Sequence, residues 1–163
     1  MRRADTPSPS PRSDDQTGLQ EFAVHLRGMN GEFNRIAQEF AQSQGLHLTD
    51  VQALIAILDA DGEEDGPMTP GRLRRHLNLT SGAMTACLDR LEKTGHVTRV
   101  RAVDDRRVVH LHYEDAARKV ARDYFQPLAR ATDAARARFS PEELAVVAGF
   151  LTEMNSELAR LRR

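Results

Sequence analysis

Between Thr69 and Tyr113, nine basic side chains (Arg72, Arg74, Arg75, Arg90, Lys93, Arg99, Arg101, Arg106 and Arg107) stand against four acids, Asp89, Glu92, Asp104 and Asp105. Guanidinium groups are flat, permanently charged forks that match phosphate oxygens, so a cluster of this sign is chemistry for a polyanion. Between Asp14 and Asp65 the balance reverses, with Arg27 and Arg35 facing eleven acids. The formal net charge of −1 conceals this segregation, and the positive segment is where nucleic acid would sit.

Within the positive segment the residues divide by task. Arg107 stands at a basic tip where it could enter a narrow minor groove, with Asp105 two residues earlier to hold it. Arg72, Arg75, Arg99, Arg101 and Arg106 read as phosphate contacts, which position a protein without reading sequence. Ser81, Gly82, Ala83, Thr85, Ala86, Asp89 and Arg90 fall on the outer faces of a helix starting near Thr80. Small polar residues crowd its N-terminal end, the end that approaches base edges in a helix-turn-helix. Thr80, Ser81, Gly82, Thr85, Ala86 and Arg90 are therefore the candidates on that helix. Cys87 falls on its inner face beside Leu88 and Leu91, where a thiol is inert rather than a redox sensor. His110 and His112 share one side of a strand and could begin a metal site, but no further ligand follows at zinc-like spacing. No glycine-rich phosphate loop, nucleophile elbow or fixed acid–base pair suggests an enzyme, and no cofactor is expected.

The elements that must hold these residues follow from apolar periodicity and end signals. Leu19, Phe22, Leu26, Met29, Phe33, Ile36 and Phe40 are spaced alternately by three and four, a heptad seam that calls for a partner helix, including one from a second subunit. A second helix follows Gly45, with Thr49 and Gln52 as its capping box and Val51, Leu54, Ile55 and Leu58 as its apolar face. An acidic, Gly-rich loop ends it, without the spacing of a calcium loop. Thr69 and Pro70 open a third helix with Leu73 and Leu77 as core contacts; Asn78 terminates it, and Thr80 or Ser81 caps the fourth. Met84, Cys87, Leu88 and Leu91 face inward, and Gly95 ends that helix. A strand pair follows, its second member alternating Val109, Leu111 and Tyr113 inward. A fifth helix carries Val120, Tyr124, Phe125 and Leu128. A sixth, opened by Ser140, Pro141 and Glu143, carries Leu144, Val147, Leu151, Met154, Leu158 and Leu161.

The bulk numbers fit one domain with an oligomerisation element. A single Cys suits a reducing compartment, and no apolar run approaches the ~20 residues of a membrane span. The opening MRRADTPSPSPRSDDQ has a twin Arg with no apolar stretch behind it, so the expectation is a disordered tail and not an export signal.

Taken in order, these motifs resemble the MarR (multiple antibiotic resistance regulator) family of bacterial transcription factors. The likeness rests on Leu48–Thr49 opening the second helix, the run Leu88, Asp89, Arg90, Leu91, then Gly95, Val97, Arg99, Asp105 and Arg107 in register, and Ser140 to Leu144 opening the last helix. It implies a homodimer held by the first and last two helices, recognition helices in successive major grooves, wings at the flanking minor grooves, and a small, often lipophilic, anionic effector that releases DNA. Ala86 stands where many relatives carry Arg, Arg74 at a usually small position, Ala117 where Gly is common, and Glu114 where a capping Thr is usual, leaving Asp115 for that role.

The expectation is a mainly α protein with a small β-wing: a dimeric winged helix-turn-helix of six helices. Its parts are a tail over 1–16, a dimerisation helix over 17–45, the winged domain over 46–113 and dimerisation helices over 114–163. Leu19, Phe22, Leu26, Met29, Leu151, Met154 and Leu158 are the expected dimer contacts. The expected partners are double-stranded DNA, a second copy and a small effector, in the cytoplasm. The alternatives are a protein-interaction module without specific DNA binding, or a redox- or metal-responsive regulator.

Overall fold

The computed structural model describes residues 13–60, 66–102 and 105–161, with side chains from residue 18 onward. Among them, helices α1 (Ser13–Ser43), α2 (Leu48–Ala60), α3 (Pro70–His76) and α4 (Ser81–Lys93) precede strands β1 (Val97–Arg101) and β2 (Val109–Tyr113). Helices α5 (Asp115–Arg136) and α6 (Pro141–Arg160) follow. The expected tail lies outside the described residues as far as residue 12, but 13–16 already belong to α1, so the helix starts earlier than its apolar seam does. Of the acidic loop after α2, residues 61–65 lie outside the described residues, as does Asp104 at the wing tip.

The chain forms two compact units that meet in sequence between Glu114 and Asp115. In the first, α1 packs on α2, and α2 in turn packs on α3, α4 and β2. The core is Phe40, Leu46, Val51, Leu54, Ile57, Met68, Leu73, Met84, Cys87, Leu88, Leu91, Val97, Leu111 and Tyr113. The inward face of α2 is rotated from expectation: Val51, Ala53, Leu54, Ile57 and Ala60 are buried, while Ile55 and Leu58 are exposed. Ala53 and Ala60 are small buried side chains, which a search for large apolar residues overlooks. The start of α2 also differs. Asp50, not Thr49 with Gln52, closes the helix end, its carboxylate accepting from the His47 N–H at 2.7 Å.

The end signals of α3 and α4 act as their residue types require. The Thr69 side chain accepts from Arg72 N–H with Pro70 in the first turn, and Thr80 accepts from Ala83 N–H. Asn78 (φ 51°) takes the left-handed conformation, which lets Leu79 N–H reach Arg74 O at 3.0 Å and turns the chain from α3 into α4. Leu77 is half-buried at this turn, so Leu73 alone anchors α3 in the core. Gly95 (φ 73°) does the same for α4, with His96 N–H on Leu91 O at 2.9 Å. The strands pair antiparallel from Val97 opposite Tyr113 to Arg101 opposite Val109. Leu111 N–H also reaches Met68 O at 2.8 Å, tying the wing to the segment before α3.

In the second unit, Ser140 and Glu143 form the reciprocal capping box of α6. Asp115 is the first residue of α5 and not its cap, so the position before the helix belongs to Glu114. Ala117 is the one buried residue of α5, and α6 has none. Leu144, Leu151 and Met154 are half-buried, and Val147, Leu158 and Leu161 are exposed.

Candidate nucleic-acid interface

Helix α4 presents Ser81, Gly82, Ala83, Thr85, Ala86 and Asp89 to solvent, while Met84, Cys87, Leu88 and Leu91 are buried beneath. The exposed first turn is small and polar. Thr85 Oγ1 donates to Ser81 O at 3.0 Å, and Arg74 reaches across from α3 to Ser81 Oγ at 3.3 Å. Arg75 on α3, Arg101 at the end of β1, and Arg106 and Arg107 between the strands are exposed. Arg107 has a side chain 95% exposed. Asp105 accepts from the Arg107 backbone N–H at 2.9 Å, while its carboxylate stands 4.0 Å from the guanidinium. Asp105 therefore shapes the turn and leaves the Arg107 head extended.

Three of the expected DNA-contact arginines are engaged within the protein. Arg90 grips Asp50 with both arms of its fork, Nε to Oδ2 at 2.5 Å and a terminal nitrogen to Oδ1 at 2.8 Å. It is a strut between α4 and α2, correcting its placement on the outer, DNA-facing side. Arg99 bridges to Asp89 at 2.7 Å, and its Nε lies 3.2 Å from Glu92 without hydrogen-bond alignment. Arg72 donates to Gly66 O at 2.9 Å, bracing the segment before α3. Sequence assigns each of these cations to DNA because it shows a charge but not the acceptor that folding brings beside it.

Asp50 is a site residue that sequence reasoning misses. Its signal is an acid one turn into a helix whose other inward residues are apolar. Burial pushes its carboxyl up. Hydrogen bonds from Arg90, the His47 amide and Cys87, with the charge of Arg90, more than offset that and hold it below the ordinary carboxylate value. Burial first, and Asp50 second, push the Cys87 thiol up to about 12, which keeps it protonated and unreactive. His96 just before β1 is buried, its Nδ1 has no hydrogen-bond partner, and burial lowers its pKa.

His110 and His112 meet edge to face, ring centroids 6.3 Å apart. Among the described residues no group of three or more His, Cys, Asp or Glu comes together to hold a metal ion. A cavity of about 330 Å³ lies between α2 and α3, lined by Ala56, Asp59, Met68, Arg72, Arg75 and His76. No described helix is long and apolar enough to cross a membrane.

A helix-turn-helix whose second helix offers small polar residues, followed by a two-stranded wing with a basic tip, defines a winged helix-turn-helix protein. The MarR family model matches residues 44–108, from just before α2 through β1 to the residue before β2. The uncharacterized HTH-type transcriptional regulator YcgE of Bacillus subtilis is 35% identical over 155 residues, covering 92% of this chain and 97% of that one. The chain belongs to the MarR family of transcription regulators. Among solved structures, Streptococcus pneumoniae FabT in complex with DNA is 27% identical, with a TM-score of 0.62 over 88% of this chain and 99% of that one. A mutant MepR from a multidrug-resistant clinical isolate of Staphylococcus aureus shares the fold at 16% identity, with a TM-score of 0.70 over 84% of this chain and 96% of that one.

Proposed function

We propose that two copies of this chain bind a pseudo-palindromic operator in the cytoplasm and repress transcription until a small effector releases them. The observation that carries the reading is the exposed polar first turn of α4 together with the exposed Arg107 of the wing. Ser81, Gly82, Thr85 and Ala86 would meet base edges, Arg75, Arg101 and Arg106 would meet phosphates, and Arg107 would enter the minor groove. Arg72 and Arg99 would turn a nitrogen outward only as bracing groups. The likeness to FabT, solved in complex with DNA, supports DNA as the partner.

The dimer is supported by apolar residues the single chain leaves in water. Leu19 is 71% exposed, and Met29 and Phe33 nearly half; Val147 and Leu158 on α6 and Leu161 just after it add to the exposed set. Leu26 on α1 and Leu151 and Met154 on α6 are half-buried, and Phe22 is half-exposed. The cationic wall of the cavity beside α3 supports an effector that is small and anionic.

Footprinting on the DNA around its own gene tests the whole reading. The expected result is protection of two half-sites ~10 base pairs apart centre to centre, with affinity falling steeply as salt rises. Equal, weak binding to every duplex would overturn it. The effector arm is tested by adding small aromatic carboxylic acids to the complex, with release expected.

A further inference from the structure

Asp50 has a fully buried carboxylate with an unusual set of partners. Its oxygens accept two hydrogen bonds from Arg90, one from the His47 amide and one from the Cys87 thiol. An ionised carboxylate has about four such acceptor positions, so it is saturated. The partners come from different places: His47 ends the connection from α1 to α2, and Cys87 and Arg90 lie one turn apart on α4. The other buried residues of α2 and α4 are apolar apart from the Cys87 thiol, and apolar contact is non-directional. A two-armed guanidinium–carboxylate fork fixes angle as well as distance.

We propose that Asp50 is a positioning residue for DNA readout, holding α4 at the pitch and rotation that bring Ser81, Thr85 and Ala86 to base edges. The proposal rests on the DNA-binding reading above. Arg90 lies roughly 13 Å along the helix axis from Ser81 at 1.5 Å per residue. A tilt of about 5° at the fork would move the first turn by about 1 Å, enough to spoil a hydrogen bond whose working range spans ~0.5 Å. Arg106 at the phosphates and Arg107 in the minor groove, on long side chains at the wing, would still follow the duplex. Stability alone does not account for the pair, because well-packed apolar residues often replace a buried ion pair without loss. Losing the fork should therefore degrade discrimination between sequences far more than binding to DNA in general.

The test uses the full chain and two probes: a duplex selected by the wild type from a random pool, and random-sequence duplex of equal length. The variants are Asp50→Asn, Arg90→Lys and the apolar double variant Asp50→Leu/Arg90→Met, which keeps a packed contact if the polar singles fail to fold. Each is measured well below its own unfolding temperature. The expected result is wild-type affinity and salt dependence on random duplex, with about a tenfold loss on the selected duplex. A purely structural pair would lower the unfolding temperature and leave the ratio of the two affinities unchanged; that result in the folded variants overturns the proposal. A wild type that selects no sequence overturns the DNA-binding reading and this proposal with it, and is distinguishable because it appears before any substitution is made.

Discussion

The winged unit and the unit formed by α5 and α6 bury their apolar residues in opposite ways. The first closes a core around Leu73, Leu91 and Leu111 and seals a carboxylate inside it. Among its described residues the second has a single buried one, Ala117, although α6 carries Leu144, Val147, Leu151, Met154 and Leu158 at helical spacing. The winged core is complete within a single chain, whereas α6, and α1 within the first unit, leave apolar residues such as Leu19, Met29, Phe33 and Leu158 in water.

The largest expected effect attacks the apolar seam of α1. Asp at both Leu26 and Ile36 would place two charges in an apolar seam and should leave a monomer or an unfolded chain, read by sedimentation and circular dichroism. A wild type that sediments as a folded monomer at micromolar concentration would break the comparison at its root.

Next comes the complete side. Asp50→Ala leaves Arg90 facing a buried void and should cost about 3–5 kcal/mol in denaturant unfolding. The pH dependence has a defined sign. The folded carboxyl titrates below its ordinary value, so its contribution is present above ~4 and is lost as pH falls through the folded value. Asp50→Asn should erase that acid-side decline, and an unchanged profile would mean the fork carries little.

The wing should respond more gently and without loss of fold. Arg107→Ala should weaken DNA binding on the order of 1–3 kcal/mol per half-site, with incomplete rescue by Lys, whereas Thr85→Ala should shift base preference. A gel-shift series that shows no weakening for Arg107→Ala at physiological salt would remove the wing from the interface.

The smallest effect concerns His96. Its folded pKa is lowered, so no penalty exists while both states are neutral, and stability should decline as pH falls below ~6.5, until the folded value is passed. His96→Phe should flatten that stretch of the curve in thermal melts. Over the same range Cys87, pushed up to about 12, should resist alkylation until the winged unit unfolds.

Much of this was legible in the chain because it rests on local rules. Thr69 with Pro70, Thr80, Asn78, Gly95 and the Ser140–Glu143 box act through their own backbone neighbours, and each ends or begins a helix where its type requires. The order of elements, the basic wing and the inward placement of Cys87 follow from the same short-range periodicity. Tertiary structure alone decided where the charges go. Arg90 and Asp50 are 40 residues apart, and nothing in either neighbourhood names the other. The rotation of α2, which exposes Ile55 and Leu58 and buries Ala53 and Ala60, depends on the neighbours α1, α3, α4 and β2 that fold against it. Spacing along a chain determines which residues share a face. Which face is buried, and which cation finds an acceptor, depends on surfaces brought together by folding.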